Sequence, residues 1–391
     1  MMHRRYKMST ADIIGWIVLL LYASYVVICL TYILSPPANN PRSFLRQKEI
    51  ACPGRKRIVL IGDSITHGHV GADYSTLLRR RLNNAGKVVD VINAGVNSQL
   101  AWNVLQNIDD IVACNPDYVT ILIGTNDVNS TLDPINEKTY RRQWKLPQVP
   151  VDAAWYRKNL EEIIGTLKDL TKAKIAVLSL PTVGENPDDR GFQAGQAYSK
   201  IAKDIAKKAN VAYLPLCETM TELVKEKPSV QHYTVKRQSL MQYGQILLHY
   251  HGIPYRWISR AFKLRFHVDF LHLNDAGASM VVDLIEKFVL GDEISRAVVP
   301  KKIKRTGFLT RKVAETVQIT STTTLVPKQI DPDGLKIGFL MGMINMEGFK
   351  AICHLDEAMT LAAFAKKIGW DEAKSAAMMH RLLEQDLIGI A

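Results

Sequence analysis

The stretch Arg57-Ile58-Val59-Leu60-Ile61-Gly62-Asp63-Ser64-Ile65-Thr66 decides the reading of this chain. Its first half is a short β-branched and aliphatic run, the composition of a strand buried on both faces. Its second half breaks that run at a glycine and puts a carboxylate and a hydroxyl just past the break. The same grammar recurs downstream. Lys87–Ile92 is a strand-like run leading to Asn93-Ala94-Gly95, and Tyr118–Ile123 leads to Gly124-Thr125-Asn126-Asp127. Helical patterns separate these runs, over Asp73–Ala85 and Ala101–Val112, and continue after a long Pro134/Pro147/Pro150 loop over 152–171. Further strands are predicted at Lys174–Leu180 and Val211–Leu214, with helices over 193–208 and Asp275–Leu290, the last capped by Asn274. Alternation at this spacing predicts an α/β domain, a parallel sheet with helices on both faces. Such sheets place their sites at the carboxyl ends of the strands, where Ser64, Gly95 and Asn126 all fall.

A fourth block, Asp269-Phe270-Leu271-His272, completes a chemical set. An imidazole can take the proton of a serine hydroxyl while a carboxylate fixes its tautomer. A glycine N–H and an asparagine amide can donate to the oxyanion that forms when the hydroxyl attacks a carbonyl. As an alternative, Gly62-Asp63-Ser64 could be a phosphate-binding nest, but the second glycine and the Lys-Ser/Thr of a P-loop are missing. Among the histidines, His67, His69, His249, His251 and His267 lack what His272 has, a carboxylate three residues earlier and Leu-Asn-Asp-Ala-Gly after it. Asp63 and Asp127 are expected to hold their loops by accepting from backbone N–H groups.

Taken together, the four blocks resemble those of the SGNH hydrolases, the GDSL-type esterases and lipases. The resemblance spans about residues 55–292, with Ile65 where the family usually has Leu. It implies a three-layer α/β/α sandwich of the flavodoxin-like kind and an ester hydrolase that needs no cofactor or metal. It also implies roles: Ser64 as nucleophile, His272 as base, Asp269 as its orienting partner, and Gly95, Asn126 and the Ser64 N–H as oxyanion donors. Acyl transfer on the same acyl-enzyme is the alternative chemistry. Esters of lipids or O-acetyl groups on glycans are the substrates such a family offers.

The rest of the chain frames that domain. Ile13–Leu34 is an uncharged apolar run, roughly 33 Å as a helix at about 1.5 Å per residue, enough for a bilayer core of about 30 Å. It ends at Ser35-Pro36-Pro37 without an Ala-x-Ala site, so an uncleaved membrane anchor is expected rather than a signal peptide. Arg4, Arg5 and Lys7 before it balance Arg42, Arg46 and Lys48 after it; the free amine and His3 tip the catalytic domain to the non-cytoplasmic side. Residues 1–12 are a tail and 35–54 a tether. The net charge of +12 suits an anionic lipid surface, and nucleic acid is the less favoured partner. Five cysteines without paired spacing exclude a disulfide framework and a C-x-x-C metal site.

Within 228–266, an insertion before the Asp–His block, Trp257, Ile258, Ala261 and Phe262 share one helical face, and Arg256, Arg260 and Lys263 the other. That layout predicts an interfacial lid or substrate wall. Beyond it, 293–330 reads as a basic and polar linker and 331–391 as a small, mostly helical module. Its two helical patterns, Glu357–Lys367 and Asp371–Glu384, flank Ile368-Gly369-Trp370 and look somewhat like a helix-turn-helix. A tethered regulatory protein with a DNA-binding tail is therefore the non-enzymatic alternative.

Overall fold

The computed structural model describes residues 10–46, 55–87 and 89–291, and three short strands nearer the C-terminus. The chain divides into two compact units, Met1–Pro300 and Lys301–Ala391. In the first, helix α1 (Thr10–Leu34) and the short α2 (Pro41–Arg46) precede β1 (Lys56–Gly62), α3 (Ser64–His67), α4 (Tyr74–Asn84) and β2 (Val89–Gly95). Then come α5 (Ala101–Leu105), α6 (Ile108–Ala113), β3 (Tyr118–Leu122), α7 (Thr125–Leu132), α8 (Pro134–Trp144) and α9 (Ala153–Leu170). The unit closes with β4 (Lys174–Leu178), α10 (Arg190–Ala209), β5 (Ala212–Leu214), α11 (Leu216–Glu226), α12 (Val235–Tyr250), α13 (Tyr255–Ala261) and α14 (Asp275–Leu290).

Strand order is β2-β1-β3-β4-β5, and every pairing is parallel. Because successive strand residues face opposite sides, β1 feeds two cores. Val59 and Ile61 pack with Ile121, Ile163 and Ile205 on one face, while Ile58 and Leu60 pack with Leu78, Val281 and Ile285 on the other. This is the predicted three-layer sandwich. The chain reverses its direction of strand addition between β2 and β3, so the connections leaving the adjacent β1 and β3 run opposite ways, at the switch point where such folds open a crevice. α14 begins as expected: the Asn274 side chain accepts from the Ala276 and Gly277 N–H groups.

Three segments differ from their sequence reading. The expected tether does not hang free where it is described. Asn40 accepts from the Ser43 N–H at 3.1 Å and Pro41 opens α2, which packs Phe44 and Leu45 on the core. The proline-containing loop after Asn126 holds α8 instead, started by Asp133 accepting from the Ile135 N–H, with Pro134 in the first turn where its missing N–H costs nothing. The helix predicted over Ala101–Val112 is two short ones. α1 covers the expected anchor segment 13–34 and begins before it at Thr10, and Gly15–Leu34 is the one stretch among the described residues long and apolar enough to cross a membrane.

In the second unit, Thr324–Pro327 pairs antiparallel with Met359–Thr360 and with Ile388–Ile390. Met359 and Thr360 are thus in a strand where the first helical pattern was expected. The rest of both helical patterns lies outside the described residues.

Asn274 tests how the last helix and the loop before it are joined. Its amide also donates to Ser259 Oγ and to the Arg265 carbonyl, each at 3.0 Å. Asn274→Ala should cost about 2 kcal/mol from the lost cap and buried hydrogen bonds, lowering Tm by roughly 4–8 °C. Thermal unfolding of the detergent-solubilised protein followed by tryptophan fluorescence checks this; an unchanged Tm would contradict it.

Candidate active site

β1 delivers Ser64 to the carboxyl end of the sheet. Asp63 caps α3 by accepting from the Ile65 N–H at 2.9 Å, which leaves Ser64 at the first helical position. Burial pushes the Asp63 carboxyl up to about 6. Across the crevice, Asp269-Phe270-Leu271-His272 makes a tight turn in which Phe270 takes a left-handed φ of 78°. A bulky residue held there carries strain that the surroundings must support. Here Asp269 Oδ1 accepts from the Leu271 and His272 N–H groups at 3.1 and 2.8 Å, and the Phe270 carbonyl accepts from the Gly184 N–H.

That turn aims the imidazole. His272 Nδ1 lies 2.7 Å from Asp269 Oδ2, and His272 Nε2 lies 2.9 Å from Ser64 Oγ. All three predicted residues are brought together, with Asp269 and His272 buried. Burial alone would push the imidazole down, but the charge and hydrogen bond of Asp269, aided by Asp63, outweigh it and the net shift is upward. The arrangement can move a proton from a hydroxyl to an imidazole whose positive charge is met by a carboxylate.

Asn126, at the start of α7, lines the same cleft as Ser64 and His272. Its orientation is fixed from two sides: Nδ2 donates to the Gln99 carbonyl at 2.9 Å, and Oδ1 accepts from the Tyr140 hydroxyl at 2.8 Å. One Nδ2 hydrogen remains for a ligand. Asp127 holds the neighbouring loop, Oδ2 accepting from the Ala101 N–H at 3.1 Å; burial, then the nearby Asp63, pushes it up to about 7.

Gly95 is placed differently from the expectation. Its N–H already donates to Asn93 Oδ1 at 2.9 Å, and it lines a neighbouring hollow rather than the Ser64 cleft. Its need for glycine is steric, since a Cβ there would sit 2.3 Å from the His67 nitrogen. Three residues on, Ser98 does line the Ser64 cleft, with a left-handed φ of 62°. Its backbone N–H has no acceptor among the described residues. The only signal for it in sequence was its position just after the Asn-Ala-Gly block.

The lid expectation also changes. Ile258 is buried against Tyr255 and Val268, with Phe262 packed beside them, so this face is turned into the domain. Trp257 is half exposed beside the Arg260 guanidinium, 5.9 Å from the ring centre. None of the three lines the cleft. The helix lasts only from Tyr255 to Ala261, and its buried residues answer to the loop carrying His272. The cleft, about 410 Å³, is walled instead by Tyr243 and Ile246 of α12 and by the last turns of α1.

Sequence reasoning also passed over Glu185. It is buried and accepts from the backbone N–H groups of Arg265, Phe266 and His267 and from His267 Nδ1 at 2.9 Å. Burial would raise its carboxyl, but His267 and those N–H groups hold it below the usual range. His267 is thereby held by Glu185 as a strut for the turn that carries His272.

Residues 60–279 match the GDSL-like lipase/acylhydrolase family, and the chain belongs to it. It is accordingly a carboxylic ester hydrolase of the SGNH type. No curated protein matches the sequence. Among solved structures it is similar to a mutant of Axe2, an acetyl-xylooligosaccharide esterase from Geobacillus stearothermophilus, at 19% identity and a TM-score of 0.45 over 62% of this chain and 97% of that one. It is similar also to the acetyl xylan esterase AlAXEase, at 20% identity and a TM-score of 0.42 over 60% and 99%.

The electrostatics of His272 predict a pH profile. Only the neutral imidazole accepts the serine proton, and its folded pKa lies above 6.5, so kcat/KM should rise with pH through a midpoint above that value. Asp269→Asn removes the charge that raises it. The midpoint should then fall and kcat drop by about 10⁴-fold; steady-state kinetics from pH 5 to 9 on a soluble ester read both, and an unmoved midpoint would contradict the pairing.

Proposed function

We propose that this protein is a membrane-anchored serine ester hydrolase, with Ser64 as nucleophile, His272 as general base and Asp269 as its orienting carboxylate. The observation that carries the reading is the unbroken relay Ser64 Oγ–His272–Asp269 at 2.9 and 2.7 Å. Ser64 Oγ attacks the acyl carbonyl as His272 Nε2 takes its proton. The oxyanion is met by the Ser64 N–H, the free Asn126 Nδ2 hydrogen and the Ser98 N–H, the last replacing Gly95 in that role. His272 returns the proton to the leaving alkoxide, which departs as the alcohol. Water, deprotonated by His272, then attacks the acyl-Ser64 ester and releases the acid.

The anchor reading is supported by how α1 ends. The carbonyl of Ser35 takes a hydrogen bond from His67 Nε2 at 2.9 Å, and that of Ile33 takes one from Asn97 Nδ2 at 3.0 Å. A cleaved signal would take with it groups that the catalytic loops are built upon. The near balance of flanking basic residues, tipped by His3, favours the domain on the non-cytoplasmic face.

Ser64→Ala and His272→Ala should each lower kcat on p-nitrophenyl esters by several orders of magnitude. Asn126→Ala should cost about 10²–10³ through the lost oxyanion donor. A folded Ser64→Ala protein with normal turnover would end the assignment. For topology, protease added to intact spheroplasts should remove the catalytic domain; complete protection would reverse the orientation and leave the chemistry standing.

A further inference from the structure

The apolar end of α1 is part of the active-site wall. Leu30, Ile33 and Leu34 line the cleft that holds Ser64 and His272, and Tyr243 and Ile246 of α12 line it with them. α12 carries more apolar surface than any contact within the fold uses. Leu240, Tyr243 and Leu247 are 73%, 74% and 55% exposed, and their i, i+3, i+7 spacing puts them on one stripe. Lys236 and Arg237, both exposed, lie one turn before that stripe.

The C-terminal end of α12 is tied to the middle of α1. Tyr25 of α1 donates its hydroxyl to the Tyr250 carbonyl, and the Tyr250 hydroxyl donates to the His69 carbonyl at 2.9 Å. The His69 ring stacks on Tyr32 at 4.2 Å, with Nδ1 2.9 Å from the Tyr32 carbonyl. These bonds fix the relation of α1, α12 and the loop after Ser64, so the cleft keeps its place relative to the span.

Depth follows from length. A helix of some twenty apolar residues fills the hydrocarbon core, and Leu30–Leu34 are its last residues. The cleft therefore sits at the boundary between hydrocarbon and headgroups, where the ester carbonyls of membrane lipids lie. An apolar stripe at that depth is shielded by lipid, and basic residues beside it meet anionic headgroups.

We infer that the cleft between the end of α1 and α12 is a lateral portal through which the acyl chain of a membrane-resident lipid ester reaches Ser64. This rests on the serine hydrolase reading and names its substrate class. The chain would lie along Leu30, Ile33 and Leu34 on one side and Tyr243 and Ile246 on the other. Its carbonyl would sit at Ser64 Oγ and its headgroup on the polar side, toward Asn97 and Ser98.

The test uses the full chain reconstituted in phosphatidylcholine vesicles containing dioleoyl phosphatidylglycerol, with p-nitrophenyl acetate in the bulk water as the second substrate. Fatty acid release from the vesicle lipid is expected and should vanish in Ser64→Ala. Leu30→Trp and Ile246→Trp, which narrow the portal from its two walls, should each lower the ratio of lipid to acetyl-ester turnover at least tenfold. Leu30 is half exposed, so its variant is expected to fold even if the other does not. As an independent reading, vesicles doped with a photoactivatable fatty-acyl phospholipid should label peptides containing residues 30–34 and 240–247, and not 253–262. Ser64-dependent turnover of p-nitrophenyl acetate without lipid hydrolysis would overturn the portal and leave the hydrolase standing. So would an unchanged ratio in both variants, or faster deacetylation of an acetylated oligosaccharide than of the lipid. Acetyl-ester turnover that survives Ser64→Ala would instead strike the hydrolase reading itself.

Discussion

Burial of β1 on both faces is the constraint from which the site follows. Ile58 and Leu60 enter one core while Val59 and Ile61 enter the other, and β2 and β3 take its backbone hydrogen bonds on either edge. A strand held this way cannot shift by one residue without exchanging its two cores. Its end is therefore fixed at Gly62, where a Cβ would meet Thr66 Oγ1 at 1.8 Å and the Leu122 carbonyl at 2.7 Å. The lack of a side chain lets α3 fold back against β1 and β2. Ser64 emerges at a point set by sheet packing, and its Oγ there lies 2.9 Å from His272 Nε2.

The loops around Ser64 and His272 are organised by buried carboxylates. Asp63, Asp127, Glu185 and Asp269 are all buried, and each accepts at least one backbone N–H from the loop it organises. Their environments then divide them. Glu185 and Asp269 have histidine partners, so a charge beside each is met by an imidazole. Asp63 and Asp127 have none, and each leaves one oxygen without a partner. Burial accordingly pushes both toward the neutral form, to about 6 and about 7.

Much of this was legible in the chain, and the reasons for the misses are specific. The strands were readable because parallel, doubly buried strands are continuous aliphatic runs broken by glycine. Ser64, Asn126, Asp269 and His272 were readable because each stands in a block just beyond such a run or in a turn of fixed spacing. Helices α2, α8 and α12 were missed although Asn40, Asp133 and Thr234 cap them, the first two with proline next in line. Proline alone reads as a sign of loop, whereas after a capping residue it starts a helix. Ser98 rather than Gly95 lines the Ser64 cleft: a glycine suggests a backbone open to ligand, yet here it admits the backbone of α3. A serine at positive φ gives no comparable signal. Glu185 could not be found from sequence, since it acts across some eighty residues on N–H groups that only the fold collects.

The apolar helix shows why a chain of this kind is more than a hydrolase on a string. Residues 35–46 hold the helix close instead of releasing it: Asn39 donates to the Val91 carbonyl, and the Asn93 N–H donates back to the Asn39 carbonyl. Asn93 also donates to the Thr66 carbonyl at 2.7 Å, in the helix that begins with Ser64. His67, in that same helix, is pushed down to about 4 by burial and the adjoining His69, and so stays neutral as it donates to Ser35. A charged imidazole there would be a buried cation without a counter-ion. One short segment thus joins the end of α1 to the nucleophile through neutral hydrogen bonds that pH near neutrality leaves intact. The bonds to Ser35, Ile33 and Asn39 fix the end of α1 against the loops around Ser64.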